Sequence, residues 1–216
     1  RGTPQLDVLA RGEGRVDSLL EYVWALPRGE SDFVEVILPE YFRRRSLLDA
    51  LRRTTALLLK LRLLHEPGVV VTDVPLVAGE RPTAEHAVAR VLVSGAHGAS
   101  LRAINYARSL GLDDTRAIFF AFDADEAARM TAEWERYELD VPLEVVEAPY
   151  RDLGDPLLDY LRDITAEGDT IAVVMMPELV VRGWRRLLHN QRAIYVKRRL
   201  LFEPNVILTS VPYQLH

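Results

Sequence analysis

The stretch AVARVLVSGAHGASLRAINYARSLGL, residues 87–112, reads as a strand, a turn and a helix in succession. Six of its first seven residues are apolar and three of them are valine, as expected of a buried strand. The segment SGAHGAS then interrupts the apolar run. Apolar residues recur at helical spacing from Leu101 to Leu110, and Gly111 follows as a stop signal. This stretch therefore predicts the start of an α/β unit.

The same alternation continues to the end of the chain. Asp123, followed by an acidic first turn, indicates the beginning of a second helix. Apolar strands separated by amphipathic helices predict a parallel sheet that is covered on both faces. The expected fold class is α/β, a doubly wound five-stranded parallel sheet. Beyond the first strand and helix, its strands are predicted at residues 116–122, 142–148, 170–178 and 205–212, and its helices at 123–139, 153–168 and 184–202.

A long internal repeat divides the chain. RLLHEPGVVVTDVP, residues 62–75, and RLLFEPNVILTSVP, residues 199–212, are identical at nine of fourteen positions. Shorter matches at offsets of 137 or 138 residues extend the similarity, so residues 5–75 repeat residues 142–212. The expected organisation is a partial, second-half unit over residues 1–78, a linker over 79–86 and a complete unit over 87–216. The first residue, Arg1, suits a fragment better than a natural beginning.

The upstream copy is expected to contain only the last part of the unit. Its strands are predicted at residues 5–9, 33–38 and 68–74, and its helices at 16–26 and 46–65. Without their first two partner strands, the last two of these would form a two-stranded remnant, which is marginally stable alone. Either further sequence, another chain or the complete unit must therefore cover their edges.

Composition excludes several classes of protein. With 49% hydrophobic and 27% charged residues over 216 positions, the chain is expected to be soluble and globular. A net charge of −5 argues against a nonspecific nucleic-acid binder, so no nucleic-acid partner is expected. The absence of cysteine excludes disulfides and thiolate chemistry. No uninterrupted apolar run approaches the roughly 18 residues of a membrane-spanning helix.

Two tracts resemble known families. VLVSGAHGASLRAINYARSL, residues 91–110, with VILTSVP, residues 206–212, resembles the universal stress protein fold. Residues 173–216 are similar to the cytoplasmic carboxy-terminal domain of bacterial transporters of the amino acid, polyamine and organocation superfamily, including KimA-type potassium importers. The most specific motifs are LLHNQ, residues 187–191, and SVPY, residues 210–213. The upstream copy lacks the LLHNQ motif.

The resemblance, which covers about residues 87–216, implies several properties. The family's strand order is 3-2-1-4-5, and its domain lies on the cytoplasmic side of the cell membrane beside a transport module. The domain dimerises and, in KimA-like members, is associated with inhibition by cyclic di-AMP. Stress-protein folds pair through their last strands, so residues 69–75 and 206–212 are expected to lie side by side in a homodimer or a pseudo-dimer.

In open α/β sheets a ligand binds beyond the carboxyl ends of the strands, where the strand order reverses. For the order that the resemblance implies, this crevice lies between the first and fourth strands of the complete unit. Its expected lining is the loop 94–100 and the segment 177–186. The candidate nucleotide-binding residues are Ser94, Gly95, His97, Gly98, Ser100, Arg182, Trp184, Arg185, Arg186, His189 and Asn190.

Each group of candidates has two interpretations. Free N–H groups at the start of the first helix can hold a phosphate, with Gly95 and Gly98 allowing close approach. The alternative is a plain turn in which Ser100 caps the helix. The three arginines can pair with phosphates and Trp184 can stack on a base, or they form a solvated basic face with the indole folded onto the core.

The ligand and function remain open among a few choices. Cyclic di-AMP and ATP are the candidate nucleotides, but the glycine pattern of ATP-binding stress proteins is missing after the fourth strand. The histidines lack metal-ligand spacing and no nucleophile elbow is present, so neither catalytic nor metal-binding residues are predicted. The hypotheses are a regulatory transporter domain, a freestanding nucleotide-binding stress protein and a structural dimerisation module.

Overall fold

The computed structural model describes residues 15–29, 32–42, 54–77, 84–148, 153–180 and 191–214. Its strands are β1 (Val34–Phe42), β2 (Val69–Val77), β3 (His86–Leu92), β4 (Asp114–Ala121), β5 (Leu143–Glu147), β6 (Thr170–Val180) and β7 (Val206–Gln214). Its helices are α1 (Arg15–Ala25), α2 (Thr54–Leu63), α3 (Gly98–Ser109), α4 (Ala124–Arg136), α5 (Gly154–Ile164) and α6 (Gln191–Leu200). The predicted strand 5–9 lies outside the described residues, as do the first parts of the predicted helices 46–65 and 184–202.

The seven strands form one sheet in the order β1-β2-β7-β6-β3-β4-β5. Every neighbouring pair is parallel except β2 and β7, which are antiparallel. The α/β class and the mostly parallel sheet are therefore confirmed. A five-stranded sheet was too small a prediction, because β1 and β2 extend the same sheet through β7. Numbered by themselves, the strands from β3 to β7 follow the order 3-2-1-4-5.

Three apolar clusters pack the helices onto this sheet. One joins α3 and α4 to the sheet, and includes Ala103, Ala107 and Trp134. A second joins α5 and α6 to the sheet around Leu161 and Leu200. The third gathers residues of α1, α2 and β2 in the upstream part of the chain. Helices therefore cover both faces of the sheet, as the continuous apolar strands predict.

The two repeated segments have the same local geometry. The parallel pair of β1 and β2 begins at Val34 and Val69, and the pair of β6 and β7 includes Ala172 opposite Val206. Val34 and Ala172 are separated by 138 positions, and Val69 and Val206 by 137, which are the offsets of the repeat. Gly68 and Asn205 stand just before β2 and β7 with φ of 73° and 57°. Glycine and asparagine are the residues that most readily adopt this left-handed conformation.

The junction between β2 and β7 is centred on a pair of equivalent threonines. Thr72 lies opposite Thr209, and their Oγ1 atoms are 2.9 Å apart. On either side, Val71 lies opposite Ser210 and Asp73 opposite Leu208. In the repeat, Val71 is equivalent to Leu208 and Asp73 to Ser210, so each flanking pair is the equivalent of the other. The junction therefore has local twofold character. The prediction that the last strands lie side by side is confirmed, within one chain.

A polar cluster supports the part of the sheet from β3 to β5. The buried Arg90 side chain donates from Nε to Tyr160 Oη at 2.8 Å and from a terminal nitrogen to Asp114 Oδ2 at 2.8 Å. The Tyr160 hydroxyl donates in turn to Glu144 Oε2 at 2.8 Å. Burial, with a further contribution from the hydrogen bond to Glu144, raises the pKa of Tyr160 to about 12. This phenol therefore stays protonated at neutral pH.

Among the described helices, none is long and apolar enough to cross a membrane.

Candidate functional site

A cavity of about 400 Å³ lies at the carboxyl ends of β3, β4 and β6. It sits where the chain's order in the sheet reverses, since β4 lies on one side of β3 and β6 on the other. This is the location at which open α/β sheets bind ligands. Its apolar lining comprises Leu92, Val93, Ala99, Phe119, Phe120, Phe122, Leu153, Leu157, Met176, Pro177, Leu179 and Val196, and its polar lining Ser94, His97 and Glu126.

His97 organises the loop between β3 and α3. It is the N-cap residue of α3, in an extended conformation with φ of −108°, and its Nδ1 accepts from the Ser100 N–H at 3.4 Å. Because Nδ1 is the acceptor, the neutral ring carries its proton on Nε2, which lies 3.1 Å from Ser94 Oγ. His97 and Ser94 both line the cavity. The loop therefore presents one imidazole and one hydroxyl at the cavity mouth.

The structure corrects the alternative interpretation in which Ser100 caps α3. His97 caps the helix, and Ser100 is fully buried in its first turn. The Ser100 hydroxyl has no hydrogen-bond partner among the described residues and is not part of the cavity lining. A histidine ring reaches the helix N–H groups from the position where a serine or aspartate is more usual. The sequence preference therefore pointed to the wrong residue.

Gly98 allows a close approach, but the group that approaches is a side chain of the same protein. A Cβ at Gly98 would lie 2.5 Å from the Tyr213 hydroxyl oxygen and 2.8 Å from Cζ of that ring. Tyr213, near the end of β7, therefore packs against the first residue of α3. At Gly95 a Cβ would lie 3.4 Å from His97 Cδ2, which is close to ordinary contact. The need for glycine is thus much stronger at Gly98.

Glu126 is a charged residue of the lining that the sequence did not single out. Its backbone N–H donates to Asp123 Oδ1 at 2.7 Å, and its own Oε2 accepts from the Phe122 N–H at 2.8 Å. Asp123 is the N-cap of α4, as predicted. The reciprocal bonds form a variant of the capping box, for which D-x-x-E was an available signal. A negative charge therefore stands at the side of the cavity formed by α4.

A partly buried ion pair joins Glu178 and Lys197, which are sequence neighbours of the lining residues Pro177, Leu179 and Val196. Lys197 Nζ hydrogen-bonds to Glu178 Oε1 and, at 2.9 Å, to Ser210 Oγ. In the upstream part Lys60 Nζ contacts Asp73 Oδ1 at 2.8 Å. Lys60 and Lys197 are equivalent in the repeat, as are Asp73 and Ser210. The basic cluster at the end of the repeated helix thus contributes a lysine that is held by a carboxylate in each copy.

Six of the eleven predicted site residues lie outside the described residues: Arg182, Trp184, Arg185, Arg186, His189 and Asn190. Their part in a site stays a prediction. Of the five that are described, the structure places Ser94 and His97 at the cavity mouth and Gly98 beneath the Tyr213 ring. Gly95 lies between them in the same loop, and Ser100 points into the protein.

Comparison with known proteins adds a family. The chain is 27% identical over 127 residues to the potassium transporter KimA of Bacillus subtilis (strain 168), an alignment that covers 57% of this chain and 21% of that protein. The chain thus spans about a fifth of the length of this curated relative. The family model described as the KimA potassium transporter C-terminal domain matches residues 5–76 and 84–213. These matches cover nearly the whole sequence, and the chain therefore belongs to the family of KimA potassium transporter C-terminal domains.

Proposed function

We propose that this chain is the regulatory domain of a potassium transporter and that it acts by binding a nucleotide, with cyclic di-AMP as the first candidate. The family and the printed name of the relative support the association with a transporter. No described group resembles a catalytic arrangement, so the proposed role is binding. In this proposal the domain lies on the cytoplasmic side of the cell membrane and has a universal stress protein-like arrangement.

The single observation that carries the proposal is the cavity at the switch point of the sheet. Its volume of about 400 Å³ falls within the range of about 300–1,000 Å³ that is usual for small-molecule sites. Three phenylalanines, Phe119, Phe120 and Phe122, contribute to its lining and suit the flat, apolar face of a purine. The N-terminus of α3, which favours negative charge, opens beside His97 at its mouth.

The charge at the cavity defines what else the ligand needs. Glu126 is the charged residue among the described lining residues, and a carboxylate there repels a phosphate. Cationic side chains are therefore required to hold the phosphates of a nucleotide at this cavity. In the sequence, Arg182, Arg185 and Arg186 follow β6 directly, and Pro177 and Leu179 of β6 line the cavity. We assign the phosphate-binding charge to these arginines.

The domain's dimer-like character is proposed to be internal. β2 pairs with β7 on the side of β7 opposite to β6. The strand edge that stress-protein folds use for dimerisation is thus covered, along these residues, by the chain's own upstream repeat. A pseudo-dimer through the last strands is therefore favoured over a homodimer through the same edge.

Calorimetric titration of the purified chain with cyclic di-AMP, and separately with ATP, tests the proposal. A Ser94→Trp variant places a large ring at the exposed mouth of the cavity and is expected to weaken binding at least about tenfold, or about 1.4 kcal/mol. Asn105→Trp is the matched control, because Asn105 is exposed on α3, the helix that follows the Ser94 loop, and does not line the cavity. Binding of ATP alone would favour a freestanding stress protein.

Neither heat nor thermal stabilisation with either nucleotide would refute nucleotide binding and leave a structural role. Binding that Ser94→Trp and Asn105→Trp leave equally strong would move the ligand away from this cavity.

A further inference from the structure

The strand β1 has an open edge, and the face that carries Ile37 is only partly covered. Among the described strands it pairs only with β2, and it forms one end of the sheet. Ile37, in the middle of β1, is 58% exposed, which is unusual for a large apolar residue in a seven-stranded sheet. Its neighbours Val36 and Leu38 face the opposite side of the sheet, where they pack against the cluster of α1, α2 and β2. The bare area is therefore the part of the other face around Ile37, since Phe33, at the start of that face, packs against Tyr106 of α3 with ring centroids 5.2 Å apart.

The equivalent strand in the complete unit shows what such a position normally contacts. By the repeat, Ile37 corresponds to Met175 of β6, which is fully buried. β3 pairs in parallel with β6, with Val91 opposite Met175, and Met175 belongs to the cluster that includes residues of α3. A strand on the edge and a helix on the face together bury this position in one copy. Neither is present at Ile37 among the described residues.

The proline in β1 does not prevent such pairing. Pro39 corresponds to Pro177, and the pairing of β6 with β3 runs from Thr170 to Met175, so it stops before that proline. By the same offset, residues 32–37, of which 34–37 belong to β1, are the part available to a partner strand. These are residues with ordinary backbone N–H groups, as a parallel ladder requires. An exposed edge with an apolar residue on its bare face is a ready template for another strand.

We propose that the β1 edge and the face around Ile37 form a docking site for a strand–turn–helix segment of the transporter polypeptide outside these 216 residues. The strand would pair in parallel with residues 32–37, and the apolar face of the helix would cover Ile37. This source is chosen because the chain spans about a fifth of its relative's length, so most of such a polypeptide lies outside it. The inference rests on the proposed attachment to a transporter.

The chemistry of the surface specifies the segment further. Glu35, on the same face as Ile37, accepts from Thr72 Oγ1 at 2.6 Å, and its carboxylate adds to the effect of burial in raising the pKa of Tyr106 on α3. The residue as a whole is still exposed. A helix that covers this face should therefore place a donor or a cation opposite Glu35 and an aliphatic side chain opposite Ile37. A second molecule of this chain fits less well, because its own strand–turn–helix segment is already occupied. Its β3 pairs within its own sheet and its α3 packs on that sheet.

Cysteine labelling tests the docking, since these 216 residues contain no cysteine and any cysteine elsewhere in the full-length protein is replaced by serine. Ile37→Cys is compared in the 216-residue chain and in the full-length protein, purified without nucleotide, by the rate of maleimide labelling. Tyr137→Cys, at a position that is 55% exposed, is the matched control. We expect labelling of Ile37→Cys to slow at least about tenfold in the full-length protein, while Tyr137→Cys reacts equally in both.

Equal labelling of Ile37→Cys in both proteins would overturn the inference. Protection that disappears on dilution would assign the site to a second copy and would overturn it as well. Hydrogen exchange across β1 provides a measurement that needs no substitution, and slower exchange in the full-length protein is expected. Because no nucleotide is present, loss of the proposed nucleotide binding leaves this result interpretable by itself.

Discussion

Substitution of Gly98 by alanine is expected to destabilise the fold by about 1–3 kcal/mol, the usual effect of overpacking a well-filled contact. The added Cβ would lie 2.5 Å from Tyr213 Oη, 2.8 Å from Cζ and 3.0 Å from Cε2. The first distance is about 1 Å shorter than the roughly 3.5–4.0 Å at which nonbonded heavy atoms attract each other. Alanine favours a helix over glycine by at most about 1 kcal/mol, so the clash should prevail.

The measurement is urea-induced unfolding followed by tryptophan fluorescence, in which the buried Trp134 contributes to the signal. Thermal unfolding should shift down by roughly 2–4 °C for each kcal/mol in a chain of this size. Tyr213→Ala removes the ring that the new methyl group meets. In the double variant, Gly98→Ala should therefore be less destabilising by about 1 kcal/mol or more than in the wild-type background.

Two results would contradict this reasoning. If Gly98→Ala is as stable as the wild type, Tyr213 moves aside at little cost and glycine is not required there for packing. If the two substitutions are additive, the ring is not the group that excludes a Cβ. Either result would favour the interpretation that Gly98 allows a phosphate to approach, since a phosphate requires the glycine only when a ligand is bound.

The remaining predictions concern the β2–β7 junction and the cluster around Arg90. Thr209→Val should lower the free energy of unfolding by about 1 kcal/mol, and Thr72→Val should lower it by more, because it also removes the hydrogen bond to Glu35. In urea unfolding, the double variant should lose less stability than the sum of the two single variants. Strict additivity would contradict a hydrogen bond between the two threonines. The raised pKa of Tyr160 means that the folded state holds this proton more tightly than the unfolded state, whose value is the usual 10.0. The contribution of Tyr160 to the free energy of unfolding should therefore be constant below pH 10 and decrease between pH 10 and about 12. Tyr160→Phe should reduce this loss of stability. If the loss is the same in the variant, it comes from another group.

Much of the candidate site was visible in the sequence as a loop but not as a cavity. Ser94, His97 and Gly98 are predicted as ligand-binding residues because glycines between a strand and a helix indicate such a turn, and of these Ser94 and His97 line the cavity. Phe120 and Glu126 were missed, since each has an ordinary local explanation, a buried strand residue and a capping-box carboxylate. Only the fold brings them into the lining of the same cavity as His97.

Tyr213 was missed for a different reason. It appeared in the SVPY motif as a mark of the family, and no local pattern connects it with Gly98, which lies more than a hundred residues earlier. Their contact depends on where the last strand ends relative to the first helix. Neither helical periodicity nor turn chemistry contains that distance. The close approach of a side chain and the close approach of a phosphate therefore look identical in the sequence.

By itself the sequence determined the α/β class, the succession of strands and helices, the Asp123 cap and the equivalence of the two repeated segments. These features follow from periodicity, capping and backbone conformation, which depend on a few neighbouring residues, and from the direct comparison of one segment with its repeat. Even the left-handed residues before β2 and β7 are readable in this way, as Gly68 and Asn205.

Only the tertiary structure decided that the two copies share one seven-stranded sheet and that Thr72 meets Thr209 in an antiparallel junction. It also decided that β1 has one edge without a partner among the described strands. Such contacts join elements more than a hundred residues apart. Their formation depends on which edges and faces remain after all the helices have packed, a property of the assembled core that no single segment contains.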